Sequence, residues 1–240
     1  VDGLEVKKDE KSFFWKGRYH NDLNSRDTLV TELNVLENFQ PKIPDHALEP
    51  EYVMLGNLDP DIQRDVLNTL KKKPRLVLMD TMNFWMDIKL DSVHETIKMV
   101  DVLMINDEEA RQLSGEYSLR KAATKILGMG PEYLCIKKGE HGALLFHKNE
   151  VFFAPALPLE EVFDPTGAGD TFAGGFIGYM ARTGDISFEN MKMAVIYGSA
   201  MASFCVEKFG PEKLQQLNMD EIRKRRQAFL DLMQLDIELV

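Results

Sequence analysis

Three apolar runs, residues 52–56, 76–80 and 102–106, are separated by polar segments whose apolar residues recur at helical spacing, and this alternation constrains the fold more than any other feature. Ile62, Val66, Leu67 and Leu70 mark one helix face, and Val93, Ile97 and Val100 mark the next. Strands that are apolar at successive positions need cover on both sides, so the order predicts a mostly parallel sheet between two helical layers. The pattern continues with a helix face at Leu119, Ala122, Ala123, Ile126 and Leu127 and a strand at 133–137, then a glycine-spaced turn and a second strand in hairpin arrangement. Ahead of the alternation, residues 11–19 and 28–33 are β-prone runs around His20, Asn21, Asp22, Leu23 and Asn24, whose turn chemistry predicts a separate hairpin. Residues 1–11 read as a strand and turn entering from something earlier. The expected architecture is α/β, a three-layer α/β/α arrangement over 46–240 with a small β unit over 1–45.

The chemistry is concentrated in residues 164–176, which read Asp-Pro-Thr-Gly-Ala-Gly-Asp-Thr-Phe-Ala-Gly-Gly-Phe. Pro165, Gly167 and Gly169 prevent a helix in the first half, whereas Phe172, Phe176, Tyr179 and Met180 share a helical face, so a helix starts close to Gly169. Small residues at a helix start let backbone amides approach a ligand, and with the helix dipole they favour an anion such as phosphate. Asp170 would repel that anion and so reads as a base that accepts a hydroxyl proton, or else as a helix-capping residue.

This stretch closely resembles the C-terminal signature of the ribokinase-like (PfkB) carbohydrate kinases over a dozen contiguous positions. The resemblance implies that Asp170 is the catalytic base and that Gly167, Ala168 and Gly169 form an anion hole, in a kinase that transfers the γ-phosphoryl group of ATP to a hydroxyl of a small sugar. A nucleoside acceptor, and a non-catalytic nucleotide-binding protein, are the alternatives. Among the polar residues at strand ends, Asp80, Asn83 and Asn106, the last resembles the start of the family's Asn-x-x-Glu motif. Glu109 would there organise water around magnesium, although Asn106 with an acidic first turn also reads as a plain N-cap. The family's Gly-x-x-Gly turn matches Gly139 and Gly142, with Lys137 offsetting nucleotide charge. The apolar helix containing Ser199 would lie near adenine, with Ser199 close to where the family commonly has asparagine. Relatives that use potassium place it where Asp164 and Thr166 stand, with Cys205 and Gly210 as further backbone donors. The first hairpin corresponds to a lid over the acceptor, so Trp15 and Arg18 are expected to face substrate, and an aromatic lid could pair with another to form a homodimer. The family normally carries several tens of residues before this point, including an early glycine pair, and nothing here matches them.

Composition narrows the partners. With 29 basic against 39 acidic residues in 240, the net charge of −10 argues against general binding to nucleic acid or to an anionic membrane surface. No run of about 18 apolar residues suggests a membrane span. Cys135 and Cys205 both lie in apolar segments and read as buried free thiols, which predicts a cytoplasmic protein.

Overall fold

The computed structural model describes residues 4–21, 23 and 26–234. Two strands, β1 (Phe14–Tyr19) and β2 (Arg26–Glu32), form an antiparallel hairpin with a bulge between Lys16 and Gly17. The Leu23 amide donates to the His20 carbonyl at 2.9 Å, in keeping with turn chemistry there; Asp22 and Asn24 lie outside the described residues. The strand expected within residues 1–11 is absent from its described part, residues 4–11. Leu4 and Val6 alternate as a strand would, but they are 77% and 72% exposed and, among the described residues, no neighbouring strand bonds to them.

The main sheet has six strands in sequence order: β3 (Tyr52–Leu55), β4 (Leu76–Asp80), β5 (Val102–Asn106), β6 (Tyr133–Lys137), β7 (Ala143–His147) and β8 (Glu150–Ala154). The first four run parallel, and β6, β7 and β8 pair antiparallel. On one face lie α1 (Pro60–Thr69), α2 (Asn83–Ile88), α3 (Leu90–Ile97), α4 (Asp107–Ser114) and α5 (Leu119–Leu127). On the other lie α6 (Ala168–Thr183), α7 (Phe188–Cys205), α8 (Glu212–Gln216) and α9 (Met219–Met233). Strand periodicity divides the core accordingly. Val77, Met79, Leu103, Ile105, Leu134 and Ile136 pack with Trp85, Val93, Ile97, Ala110 and Ile126, whereas Leu76, Leu78, Val102, Met104 and Cys135 pack with Phe176, Met180, Val195 and Phe229.

The helix expected around Val93, Ile97 and Val100 is preceded by a second one. Lys89, at φ −141° and ψ 38°, ends α2 and begins α3. Its ammonium reaches back to Asp59 and Asp61 at 2.6 and 2.7 Å, which ties the break to the start of α1. In the opposite layer, α6 and α7 cross where both carry glycine: a Cβ on Gly198 would stand 2.7 Å from the Phe172 carbonyl oxygen. Cys135 and Cys205 are both buried and unpaired. Among the described residues no helix is long and apolar enough to cross a membrane.

Candidate active site

The carboxyl ends of β4, β5 and β6 carry Asp80, Asn106 and Lys137 side by side, with Asp80 in register with Met104 and Asn106 with Lys137. The edge past the strand ends is where ligands bind in open parallel sheets. From the other layer, the first turn of α6 arrives at the same edge. Its N-cap is Gly167 at φ 82°, a left-handed conformation that favours glycine, and no side chain caps the helix. Asp170 lies in the first turn, where its carboxylate accepts from its own backbone amide. The preceding loop is held through its backbone amides. The Thr166 amide donates to Asp164 Oδ1 at 2.9 Å, and the amides of Phe163 and Asp164 donate to the Val206 carbonyl at 2.7 and 3.3 Å. Of the amides expected to form an anion hole, that of Ala168 donates to the Pro165 carbonyl at 3.1 Å.

Lys137 and three carboxylates, Asp80, Glu109 and Asp170, meet here. Lys137 Nζ lies 3.2 Å from Asp80 Oδ2, and it comes so close to Gly169 that a Cβ there would be 3.1 Å from it. Burial works against the Lys137 ammonium, yet Asp80 and Glu109 hold its pKa above the ordinary lysine value. Glu109 is 3% exposed and engaged in a capping box: its Oε2 accepts from the Asn106 amide at 2.7 Å, while Asn106 Oδ1 accepts from the Glu109 amide at 2.8 Å. Burial pushes the Glu109 carboxyl up to about 7, against the pull of Lys137 and of the Asn106 amide. Asp170 opens onto a cleft, and its carboxyl is still set deep enough for burial to raise its pKa, with Asp80 adding to the rise and Lys137 opposing it. A carboxylate of raised basicity beside a fixed ammonium suits proton abstraction next to an anion.

Asp170 borders a cavity of about 260 Å³ between the hairpin and the main sheet, whose wall includes Trp15, Leu36, Asn57, Met82, Phe84 and Trp85. Ligand clefts run from about 300 to 1,000 Å³, so this one lies just below that range. Asn57 Oδ1 is fixed by the Trp85 indole N–H at 3.0 Å. Trp15 faces the cavity, but Arg18 is exposed on the other side of β1, because residues three apart in a strand point to opposite faces. Tyr19 shares the inward side with Trp15, and its hydroxyl lies 3.2 Å from Thr166 Oγ1, joining hairpin to loop. Arg26 on β2 stands over the Trp15 ring, and its charge reaches both Glu109 and Asp170. Tyr19 was legible in the alternation of β1; Arg26 carried no signal in the sequence.

The remaining residues singled out from the sequence lie around this centre. Gly139, at φ 55°, and Gly142, at φ 81°, shape the turn just past Lys137, and a Cβ on Gly142 would stand 2.0 Å from the Ala154 carbonyl oxygen. Asn83 begins α2 and donates to Gln112 Oε1 rather than entering the cavity wall. Ser199 is buried within α7. Cys205 sends its thiol toward the Thr166 carbonyl, with sulfur and oxygen 3.8 Å apart.

This arrangement of layers is the ribokinase fold. The ribokinase of Thermotoga maritima superposes with a TM-score of 0.70 at 22% identity, covering 94% of this chain and 72% of that one. An E. coli protein assigned as ribokinase II, solved with ATP and magnesium, gives 0.67 at 22% identity over 85% and 68% of the two chains. The chain belongs to the pfkB family of carbohydrate kinases, whose family model matches residues 24–216. It is 33% identical over 168 residues to a cytidine kinase of Thermococcus kodakarensis, covering 68% of this chain and 59% of that kinase, less than two thirds of its length.

Proposed function

We propose that the protein transfers the γ-phosphoryl group of ATP to a hydroxyl of a small sugar. The observation that carries this reading is the placement of Asp170: a first-turn carboxylate that borders the cleft on one side and Lys137 on the other. In such a transfer Asp170 takes the proton of the attacking hydroxyl. The amides at the start of α6, those of Gly167 and Gly169 on either side of the engaged amide of Ala168, together with the Lys137 ammonium, meet the charge on the transferring oxygens. Asn106, Gly139 and Gly142 border the path of the nucleotide, with Ser199 further back on the adenine side. Closing the hairpin excludes water that would compete as acceptor.

Among the described residues no group of three or more His, Cys, Asp or Glu side chains could hold a metal ion. Magnesium is usually held by one or two carboxylates plus substrate phosphates and keeps several of its waters. Glu109 would face those waters. When bound, magnesium would supply positive charge that offsets the charge of the nucleotide phosphates. Potassium beside the loop is a further part of the proposal, with Asp164 and Thr166 as its neighbours. Asp164 Oδ1 is already engaged by the Thr166 amide, so such an ion would order this loop rather than touch substrate. Phe13, Phe14 and Leu29 are exposed on or beside the hairpin, which supports pairing of two lids in a homodimer.

A nucleoside acceptor is the second reading, favoured by the Trp15, Phe84 and Trp85 wall and by the likeness to the cytidine kinase. A binding-only role would leave unused the placement of Asp170 between the cleft and Lys137. ADP release by the intact protein against a panel of sugars and nucleosides tests all three: sugar-dependent release is expected, nucleoside-dependent release alone would favour the second reading, and none would remove the kinase.

A further inference from the structure

Asp80 is the one charged group of this cluster whose own contacts leave its task open, and the following rests on the phosphoryl-transfer reading above. We infer that Asp80 is a positioning residue: it fixes the Lys137 ammonium against the first turn of α6, so that the cation is in place before a phosphate reaches the amides there. Asp80 is itself locked. Its Oδ1 accepts from the Thr81 amide at 2.9 Å, and its carbonyl accepts from Gln63 Nε2, also at 2.9 Å. Gln63 is buried in α1 and donates as well to the Gly56 carbonyl at 2.7 Å, which pins the end of β4 to the end of β3. The oxygen left over, Oδ2, is the one that meets Lys137 Nζ at 3.2 Å.

The pair spans strands that are not neighbours. β4 and β6 each bond to β5, so Asp80 and Lys137 join across the end of β5, at the sheet edge where the nucleotide phosphates would arrive. A pair whose task was only stability would be a weak device there, since buried ion pairs are often replaceable by apolar residues without loss. Lysine ends in a point charge on a flexible four-carbon stem, so its direction has to be imposed. Asp170 and Glu109 are the other carboxylates within its electrostatic reach, and Arg26 is the other cation facing them. Without Asp80, the ammonium would be drawn to Asp170 and would occupy the carboxylate that must accept the hydroxyl proton. On the far side Gly169 leaves Lys137 the space it needs.

The test is a double-mutant cycle of Asp80→Asn, Lys137→Met and the double variant in the intact protein, read by calorimetric affinity for ATP with magnesium and by kcat. Each single change is expected to weaken ATP binding roughly tenfold, as losing one partner of a charge-assisted contact does. Asp80→Asn should have almost no further effect once Lys137 is Met. Independent, multiplying effects would overturn the inference, as would an Asp80→Asn variant with wild-type affinity and kcat. A merely structural Asp80 would lower the melting temperature in both backgrounds and leave the affinity of the folded protein alone. Asp80→Ser, which leaves room for a water, is the second variant and has to give the same pattern should Asp80→Asn fail to fold. A wild type that binds ATP yet phosphorylates no acceptor would fail the reaction proposed above and leave the cycle measurable through affinity. A wild type without affinity for ATP would overturn both.

Discussion

Gly169 occupies the point where α6 begins and where the Lys137 side chain ends, and the two demands on it make opposite forecasts. Alanine is a better helix residue than glycine by about 1 kcal/mol, so Gly169→Ala by itself favours the fold. The added methyl would stand 3.1 Å from Lys137 Nζ, the far end of a flexible side chain that is able to shift. Gly169→Ala is therefore expected to melt at or above the wild-type temperature while its ATP affinity and kcat fall. A variant that is less stable yet fully active would mean that the glycine serves packing and that Lys137 has no part in binding phosphate. Gly142 differs in kind: its φ of 81° and the Ala154 carbonyl 2.0 Å from a would-be Cβ are backbone demands with nowhere to relax.

At the scale of elements, the start of α4 combines a structural and an electrostatic task in Glu109. The carboxyl has a folded pKa of about 7 against an ordinary 4.5, so the native state binds its proton more tightly than the unfolded chain does between those values. Stability contributed at this site accordingly falls as pH rises from about 4.5 to about 7 and is flat beyond, by at most about 3 kcal/mol. Glu109→Gln keeps the reciprocal bond to the Asn106 amide and has no charge to bury. Measured without nucleotide or magnesium, its melting temperature is expected to exceed the wild type's at pH 8 and to converge on it near pH 5; a constant offset across that range would contradict the assignment. The hairpin offers a second measurement. Tyr19→Phe removes only the hydroxyl that meets Thr166, and one exposed hydrogen bond is worth about 0.5–1 kcal/mol, a factor of roughly two to five. That factor should appear in the acceptor KM or in kcat with no change in ATP affinity, and an unchanged KM and kcat would mean that the hairpin closes without this contact.

For the whole molecule, the layers were legible because buried parallel strands are apolar at every position, and residues 76–80, 102–106 and 133–137 occur where that pattern places them. The break at Lys89 was not legible, since it depends on carboxylates 28 and 30 residues earlier that only the fold brings near. The same limit applies to the site. Asp170, Gly169 and Lys137 stood out by residue type and spacing, but their convergence with Asp80 comes from the crossing of two layers. Arg18 illustrates the converse, because its charge was visible in the sequence and its outward direction depends on strand alternation. The account as a whole depends on Asp170 being a base rather than a cap, and Asp170→Asn in the intact protein separates the two, since asparagine caps nearly as well but cannot accept the proton. The decisive measurement is kcat of this variant beside its melting temperature and ATP affinity. The account predicts normal melting, retained ATP affinity and a kcat lower by about 10²- to 10⁴-fold, or roughly 3–5 kcal/mol of barrier. A variant that melts and binds ATP normally and still turns over within about threefold of wild type, well short of that general-base range, would contradict it.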